Sequence, residues 1–216
     1  GMSLSAAGGV MQMLFRNPLV EPGFLGVTQG AGFGAALCII FLGSSLWLIE
    51  VSATFFAIFA LLFSWFIARR IRFGGWVLRL ILAGIAVSAF FSAGLGILKY
   101  LADPLSQLPE ITFWLLGGLY SITWHDFYYV MPVVVIGITI ILLMRWRLNL
   151  LALEDQTASS LGVSVKRERT LLLAVSVAIT AVVVSVAGIV GWIGLIIPHI
   201  ARRLVGANAA KFIPVS

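Results

Sequence analysis

The segment that decides the fold of this chain is VMPVVVIGITIILLMRWRLNLLALEDQTASSLGVSVKRERTLLLAVSVAITAVVVSVA, residues 130–187. It holds two apolar runs separated by a polar interruption with acids, a Ser/Thr cluster and a basic end. An apolar run of about 20 residues is long enough to cross the hydrocarbon core of a bilayer as a helix. The pattern therefore predicts two transmembrane helices joined by a polar loop.

The composition of the whole chain agrees with this interpretation. The 216 residues are 61% hydrophobic and 10% charged, with a mean hydropathy of +1.11. Soluble domains have roughly 25% charged residues, which excludes a water-soluble fold. The apolar segments do not alternate with polar residues, which excludes a transmembrane β-barrel. We predict an all-α, polytopic membrane protein in which residues 1–216 form a single transmembrane domain.

Six apolar stretches are interpreted as membrane spans, and a shorter apolar piece, 191–201, follows the last of them. The six are residues 2–15, 31–49, 52–68, 80–100, 128–144 and 170–190. The first begins as if in mid-helix, and the chain stops abruptly after KFIPVS. We therefore expect a fragment of a longer polytopic protein.

Basic residues fall almost entirely on one side of this alternating topology, and only Lys99 lies on the other. Because Lys and Arg are enriched in cytoplasmic loops, the basic side is predicted to be cytoplasmic. The net charge of +6 then needs no nucleic-acid partner. The polar interruption, residues 149–169, lies on the cytoplasmic side. The basic residues of that side are Arg16, Arg69, Arg70, Arg72, Arg79, Arg145, Arg147, Lys166, Arg167 and Arg169.

The short piece 191–201 leaves two alternatives open. At about 1.5 Å per residue it is too short for a full helical return across the membrane. A broken helix that re-enters the membrane would bring Arg202 and Arg203 back to the cytoplasmic side. One long tilted span would leave both arginines outside. Four residues that break helices lie in or beside this piece: Gly188, Gly191, Gly194 and Pro198.

The external segment 101–127 is rich in prolines and aromatic residues. Its middle, TFWLLGGLY (112–120), is too short to span the membrane and too apolar for a free loop, which favours a short re-entrant or interfacial helix facing an external cavity. Amphipathic rings prefer the level of the lipid headgroups. The residues predicted there are Trp114, Tyr120, Trp124 and Phe127.

Two glycine-containing motifs predict packing and a turn. Gly26, Gly30 and Gly34 are spaced four apart, which places small residues on one helix face where another helix can approach closely. The string GAGFGA lacks the strand that a dinucleotide fingerprint requires. NPLVEPGFLG, residues 17–26, is predicted to form a turn, and the role of its Glu21 is left open.

The sequence offers little chemistry of its own. His125 and Asp126 suggest either a proton relay or a solvated pair at a span edge, and the second interpretation is favoured. With two histidines and one cysteine in no cluster, we expect neither a metal site nor another cofactor. No protease, hydrolase or GxxxxGK[ST] phosphate-binding motif is present, so we expect no enzyme, and any ATP would bind another chain.

Four stretches together resemble the vitamin B12/iron-siderophore class of ABC-importer permeases, in the order that this family has them. They are MQMLFRNPLVEPGFLGVTQGAGFGA (11–35), TFWLLGGLYSITW (112–124), LALEDQTASSLGVSVKR (151–167) and AGIVGWIGLIIPHIARRLVG (187–206).

The resemblance implies a permease of about ten helices that works as a homodimer in the cytoplasmic (inner) membrane of a bacterium or archaeon. Two ATPase subunits would dock on its cytoplasmic side, and a soluble binding protein would deliver a siderophore, haem, cobalamin or an oxyanion such as molybdate from outside. Compared with the family pattern, this chain lacks the first helix, the start of the second and the last spans.

The resemblance also implies site residues. Segment 149–169 matches a pair of short cytoplasmic helices that fit a cleft on the ATPase, and its mixture of small residues and isolated leucines suits such burial, with Gly162 as a helix stop. The residues predicted to couple to the ATPase are Leu151, Ala152, Leu153, Glu154, Thr157, Ala158, Leu161, Gly162 and Val163.

The family's cytoplasmic gate aligns with Val77 and Leu78, at the start of the fourth span. Apolar residues there suggest closure by dewetting or contact. The predicted pathway lining consists of Gly84, Ser88 and Ser92 on one helical face, together with Trp114.

Two other interpretations stay open. An ion-coupled secondary transporter or channel would need no ATPase, but it predicts intramembrane ionisable residues and inverted repeats, which the sequence does not reveal. A truncated, non-functional fragment is compatible with the same observations.

Overall fold

The computed structural model describes residues 1–119 and 122–216, and within these ranges it is helical without a strand. The all-α prediction is confirmed. A 3₁₀ turn, Pro22–Leu25, lies between the first two α-helices. The α-helices in chain order are α1 (Met2–Leu14), α2 (Val27–Phe41), α3 (Leu46–Arg70), α4 (Trp76–Leu101), α5 (Gln107–Leu116), α6 (Trp124–Leu151), α7 (Asp155–Ser160), α8 (Val165–Ala187), α9 (Ile193–Val205) and α10 (Ala209–Val215).

Four of these helices are long and apolar enough to cross a membrane: α3, α4, α6 and α8, with 25, 26, 28 and 23 residues. At 1.5 Å per residue each exceeds the roughly 30 Å of a bilayer's hydrocarbon core. They correspond to four of the six predicted spans. The other two spans correspond to α1 and α2, which have 13 and 15 residues.

The boundary between the second and third predicted spans was wrong. Span 31–49 was expected to continue to residue 49, but α2 ends at Phe41 and α3 already begins at Leu46. The chain turns at Gly43, whose φ is +94° and whose N–H donates to the Cys38 carbonyl at 3.0 Å. Hydropathy does not reveal this turn because apolar residues lie on both sides of it.

The described residues form two compact units, each with its own internal contacts. Unit 1 comprises residues 1–22, 131–180 and 191–216, and unit 2 comprises residues 23–130 and 181–190. In unit 1, α1 packs on α9. The two helices lie so close that a Cβ added to Gly8 would collide with the backbone of Gly194.

In unit 2, α2 packs against α3 and α4. A Cβ added to Gly30 would lie 2.6 Å from the Phe56 carbonyl oxygen, and one added to Gly34 would lie 2.6 Å from that of Ser52. The predicted close approach of another helix is therefore confirmed at both glycines. Gly26, the N-cap residue before α2, lies in the left-handed region with a φ of +86°.

The chain is not helical between α8 and α9. α8 ends at Ala187, Gly188 has a φ of +69°, and α9 begins at Ile193 after Trp192, whose φ is +71°. A single continuous helix through this region, one of the two predicted alternatives, is therefore wrong.

Replacing Gly30 with Ala should lower the free energy of unfolding by about 1–3 kcal/mol, the usual cost of overpacking a tight contact. The same change at Gly96 in α4 is the matched control, because nothing lies within 4 Å of a Cβ added there. That variant should be neutral or slightly stabilised, since Ala is favoured over Gly in a helix by about 1 kcal/mol. Thermal unfolding in detergent measures both, and equal losses would contradict the close-approach role.

Candidate functional site

The polar interruption folds into a tight turn between two long helices. α6 ends at Leu151, the six-residue α7 follows, and α8 begins at Val165. Gly162 ends α7 with a φ of +80°, and its N–H donates to the Ser159 carbonyl at 3.0 Å. The predicted helix stop at Gly162 is confirmed. Instead of the expected pair of short helices, one short helix is followed directly by the first turn of α8.

The nine predicted coupling residues divide into buried and accessible ones. Leu153 is 41% exposed and Leu161 is 57% exposed, so two large apolar side chains face outward on either side of α7. Three members are buried and anchor the turn within unit 1: Leu151, Ala158 and Val163. The others are exposed or half-buried: Ala152, Glu154, Thr157 and Gly162.

Arg169 of α8 holds the turn in place. Its Nη1 donates to Asp155 Oδ2 at 3.0 Å, and its Nη2 donates to Asp155 Oδ1 at 2.7 Å and to the Leu151 carbonyl at 3.2 Å. The Arg169 side chain is only 7% exposed. A two-pronged arginine–carboxylate pair fixes orientation as well as distance, so the end of α6 and the start of α7 are held against α8.

A second arginine, Arg16, approaches the turn from the segment after α1. It donates to the Leu153 carbonyl and lies 3.5 Å from Asp155 Oδ1. Hydrogen bonding to Arg169, together with the charges of both arginines, lowers the pKa of the Asp155 carboxyl. Asp155 is therefore ionised at neutral pH, and its contribution to stability is lost only as the pH falls through the lowered pKa.

Further polar contacts brace the flanking helices. Arg147 of α6 pairs with the buried Glu168 of α8. Asn149 donates from Nδ2 to Asn208 Oδ1 at 2.9 Å and accepts the Ala209 N–H at 2.9 Å, which ties α6 to the start of α10. Polar contacts of α6, α8, α10 and the segment after α1 therefore hold the turn and its flanking helices in unit 1.

Glu21 of the NPLVEPG stretch gains a role that the sequence left open. It is half-buried, and the backbone N–H of Trp192, immediately before α9, donates to its carboxylate. Burial raises the pKa of this carboxyl, and the hydrogen bond opposes that shift. The carboxylate of Glu21 therefore ties the NPLVEPG turn to the residue that precedes α9.

The predicted gate residues lie in the first turn of α4. Val77 is half-buried, and Leu78 is exposed and packs beside Gly74, which has a φ of +75°. Arg79 donates to the Ile71 carbonyl at 3.3 Å, which braces the turn before α4. Val77 and Leu78 therefore lie at the start of the fourth span, as predicted, and their role in gating stays a prediction.

One pathway-lining prediction needs correction. Gly84 is buried, and a Cβ there would lie 2.8 Å from the Phe24 carbonyl oxygen and 3.1 Å from Leu25 Cα. Gly84 therefore permits close packing of the 3₁₀ turn on α4 and does not face open space. Further along α4, Ser88 is half-buried and Ser92 is exposed, so both remain candidates.

Trp114 borders a cavity of about 390 Å³ in unit 2. Four residues of TFWLLGGLY border this cavity: Phe113, Trp114, Gly117 and Gly118. Tyr120 lies outside the described residues, and a role of the cavity in the pathway stays a prediction. The lining residues are Ile39, Leu46, Ile49, Glu110, Phe113, Trp114, Gly117, Gly118, Val186, Ala187 and Gly188. α5 ends here against the chain after α8, where Gly118 N–H donates to the Ala187 carbonyl at 2.8 Å.

The interpretation of His125 and Asp126 as a solvated pair was only half right. The His125 side chain is 69% exposed, but that of Asp126 is almost fully buried, and the buried Glu50 of α3 lies beside it. Glu50 was not among the predicted site residues. Its charge near the start of an apolar span was the available signal.

This fold and this site define a class, a polytopic helical membrane protein in which two long helices are joined by a short, anchored turn. The model of the FecCD transport family matches residues 1–216, and the chain belongs to that family.

Individual relatives agree with the assignment. The chain is 39% identical over 218 residues to the molybdate import system permease protein MolB of Haemophilus influenzae, covering 99% of this chain and 63% of the relative. It is 42% identical over 214 residues to a protein of Helicobacter pylori named "Probable iron chelatin transport system permease protein", covering 99% and 64%. The chain thus spans somewhat less than two thirds of these relatives.

A solved structure of similar fold is described as an inward-facing conformation of a transporter assigned to the metal-chelate type of ABC transporters. The match has a TM-score of 0.91 and 38% identity, and it covers 99% of this chain and 68% of the other.

Replacing Arg169 with Leu should loosen the turn and destabilise unit 1 by about 1–3 kcal/mol, less than a fully buried pair would lose, because Asp155 is largely exposed. Arg167→Leu is the matched control, since Arg167 is an exposed neighbour on the same helix. Thermal unfolding and limited proteolysis between residues 149 and 165 measure the effect. In the wild-type protein the turn should become protease-sensitive only as the pH falls through the lowered pKa of Asp155. If Arg169→Leu and Arg167→Leu were equally sensitive to the protease, Arg169 would not anchor the turn.

Proposed function

We propose that this chain is the permease subunit of a binding-protein-dependent ABC importer, which moves its substrate inward across the cytoplasmic membrane of a bacterium or archaeon. In this proposal it pairs with a second copy of itself, with two ABC ATPase subunits and with a soluble substrate-binding protein. The chain itself carries no nucleotide-binding motif, so ATP hydrolysis belongs to the partner.

The observation that carries this proposal is the anchored turn of α7 in a chain of this family. Leu153 and Leu161 present apolar surface, while Arg169 and Arg16 fix the backbone between them. A loop that served only as a spacer would need neither exposed leucines nor a buried arginine. Rigid elements position binding residues more accurately than flexible loops do, which suits a docking surface for a moving partner.

The anchored turn supplies what coupling requires. A partner can shift a conformational equilibrium only if it binds the two conformations differently. An ATPase docked on Leu153, Leu161 and the exposed polar residues of α7 would transmit its movement to α6 and α8, because Arg169 joins all three helices.

The names of the relatives support a proposal for the substrate class. Their names include molybdate and an iron chelatin, and the solved structure is assigned to metal chelates. We therefore propose a metal chelate, such as a siderophore, haem or cobalamin, or a related oxyanion such as molybdate. Ser88, Ser92 and Trp114 are proposed to line its pathway, which Val77 and Leu78 would close on the cytoplasmic side.

An ion-coupled secondary transporter is the second candidate, and one observation favours it. Glu50 and Asp126 are buried acids in helices long enough to span a membrane, the feature that such a transporter needs. Substrate uptake into proteoliposomes separates the two candidates. Uptake that follows an ion gradient without ATPase subunits would support the second, and uptake that needs internal or external ATP with ATPase subunits would support the first.

Replacing Leu153 and Leu161 with Glu in the full-length protein should abolish co-purification with the ATPase. It should also lower the rate of substrate-stimulated ATP hydrolysis at least tenfold, because each change places a charge in an apolar contact. Both residues are exposed, so the membrane fold should survive. Leu105→Glu is the control, since Leu105 is 91% exposed and lies on the opposite side of the predicted topology. Normal association of the double variant would refute the docking assignment.

Replacing Val77 with Trp should narrow the proposed gate and slow substrate transport severalfold while ATPase association stays normal. Leu78→Ser should instead raise uncoupled leak, because a polar side chain opposes dewetting of an apolar constriction. Transport and leak are measured in proteoliposomes. Ile97→Trp is the control, an exposed position far along the same helix, and gate variants that behave like it would remove both residues from the gate.

A further inference from the structure

Three potential metal ligands converge in unit 2 at the start of α6. Glu50 is the fifth residue of α3, and His125 and Asp126 lie in the first turn of α6. One ligand atom from each side chain lies within 4.8 Å of the other two. Glu50 and Asp126 are each only 6% exposed. This group contains no residue of the anchored turn and does not depend on the proposed permease function. Its two acids are those that favour the second candidate, the ion-coupled transporter.

Helix capping accounts for Asp126 but not for the whole group. Asp126 Oδ2 accepts the Thr123 N–H at 2.7 Å, and Thr123 Oγ1 accepts the Asp126 N–H at 3.4 Å. This reciprocal arrangement is a capping box at the start of α6. The other carboxylate oxygen of Asp126, Oδ1, lies 3.8 Å from His125 Nδ1, a distance that leaves room for a metal ion between the two atoms.

Glu50 has no such explanation. Among the described residues, none forms an ion pair with it. Its carboxyl shares a hydrogen bond with the carboxyl of Asp126, and its buried Oε2 has no hydrogen-bond partner. Two carboxyl groups can share a hydrogen bond only if one of them is protonated, and two buried carboxylates side by side repel each other. A positive species has to complete the group, and it can be a shared proton or a metal cation.

The position of His125 favours a cation. A shared proton needs only the two carboxyl groups. The imidazole of His125 adds a nitrogen ligand within 4.8 Å of a carboxylate oxygen from each acid. Two carboxylate oxygens and one imidazole nitrogen form a ligand set that suits Zn²⁺ and similar divalent transition metals. Ligand atoms around tetrahedral zinc lie about 3.4 Å apart, and the exposed His125 side chain can close the remaining distance by rotation.

We propose that Glu50, His125 and Asp126 form a binding site for one divalent cation of the zinc type. The cation would join the start of α3 to the start of α6 and neutralise the two buried acids. The positive-inside rule places both helix starts on the external side, so the cation would be taken from outside the cell. The exposed face of His125 leaves a fourth position for water and allows exchange.

The test is equilibrium binding of Zn²⁺ to the full-length protein in detergent, after removal of any histidine tag. Wild type should bind one Zn²⁺ per chain, and Glu50→Gln and His125→Ala should each bind at least tenfold more weakly. Asp103→Asn is the matched control, because it removes an exposed acid outside this group. His125 is exposed and Glu50→Gln keeps its shape, so both variants should fold.

Two further measurements decide between a cation and a proton. Co²⁺ should give visible absorption bands in wild type that change in His125→Ala, and Zn²⁺ should raise the unfolding temperature of wild type but not of Glu50→Gln. Binding that is absent, or equally strong in Glu50→Gln, would overturn the proposal. So would a wild-type unfolding temperature that falls as the pH rises through neutrality and does not respond to Zn²⁺, since that behaviour belongs to a shared proton.

Discussion

Each break in these helices has to find partners for the backbone groups that it releases, and this constraint governs the rest of the structure. Inside a membrane an unpaired backbone group costs several kcal/mol, so irregular chain is tolerated only where protein covers it. The chain meets the constraint with glycines. Gly43 closes α2 onto the Cys38 carbonyl, and Gly117 lies so close to the chain after α8 that a Cβ there would be 2.7 Å from the Ile189 carbonyl oxygen.

The turn at α7 meets the same constraint with charge. Arg169 is buried, yet its guanidinium satisfies both the Asp155 carboxylate and the free carbonyl of Leu151 at the end of α6. A buried ion pair contributes specificity of geometry more reliably than it contributes stability. That specificity suits the proposed docking surface, because Leu153 and Leu161 are then held in one arrangement at the surface of unit 1.

The sequence predicted this structure where hydropathy and local signals suffice. The all-α class, the spacing of Gly30 and Gly34, and the stop at Gly162 follow from patterns of a few residues. The boundary near Gly43 could not be found that way, because apolar residues continue through the turn. Gly84 was misjudged because a small residue on a helix face suits either open space or a close neighbour, and only the position of Phe24 decides between them.

The two ends of α6 show why long-range charge pairing could not be predicted either. At its C-terminal end Leu151 and the acid that follows meet arginines, which the polar segment itself displays. At its N-terminal end Asp126 meets Glu50 from a distant part of the chain, and the described residues supply no basic side chain in an ion pair with Glu50. At the C-terminal end, arginines of the chain itself balance the charge of Asp155. The other end collects negative charge in a buried place, and such an arrangement persists only if a proton or a cation from outside the chain completes it.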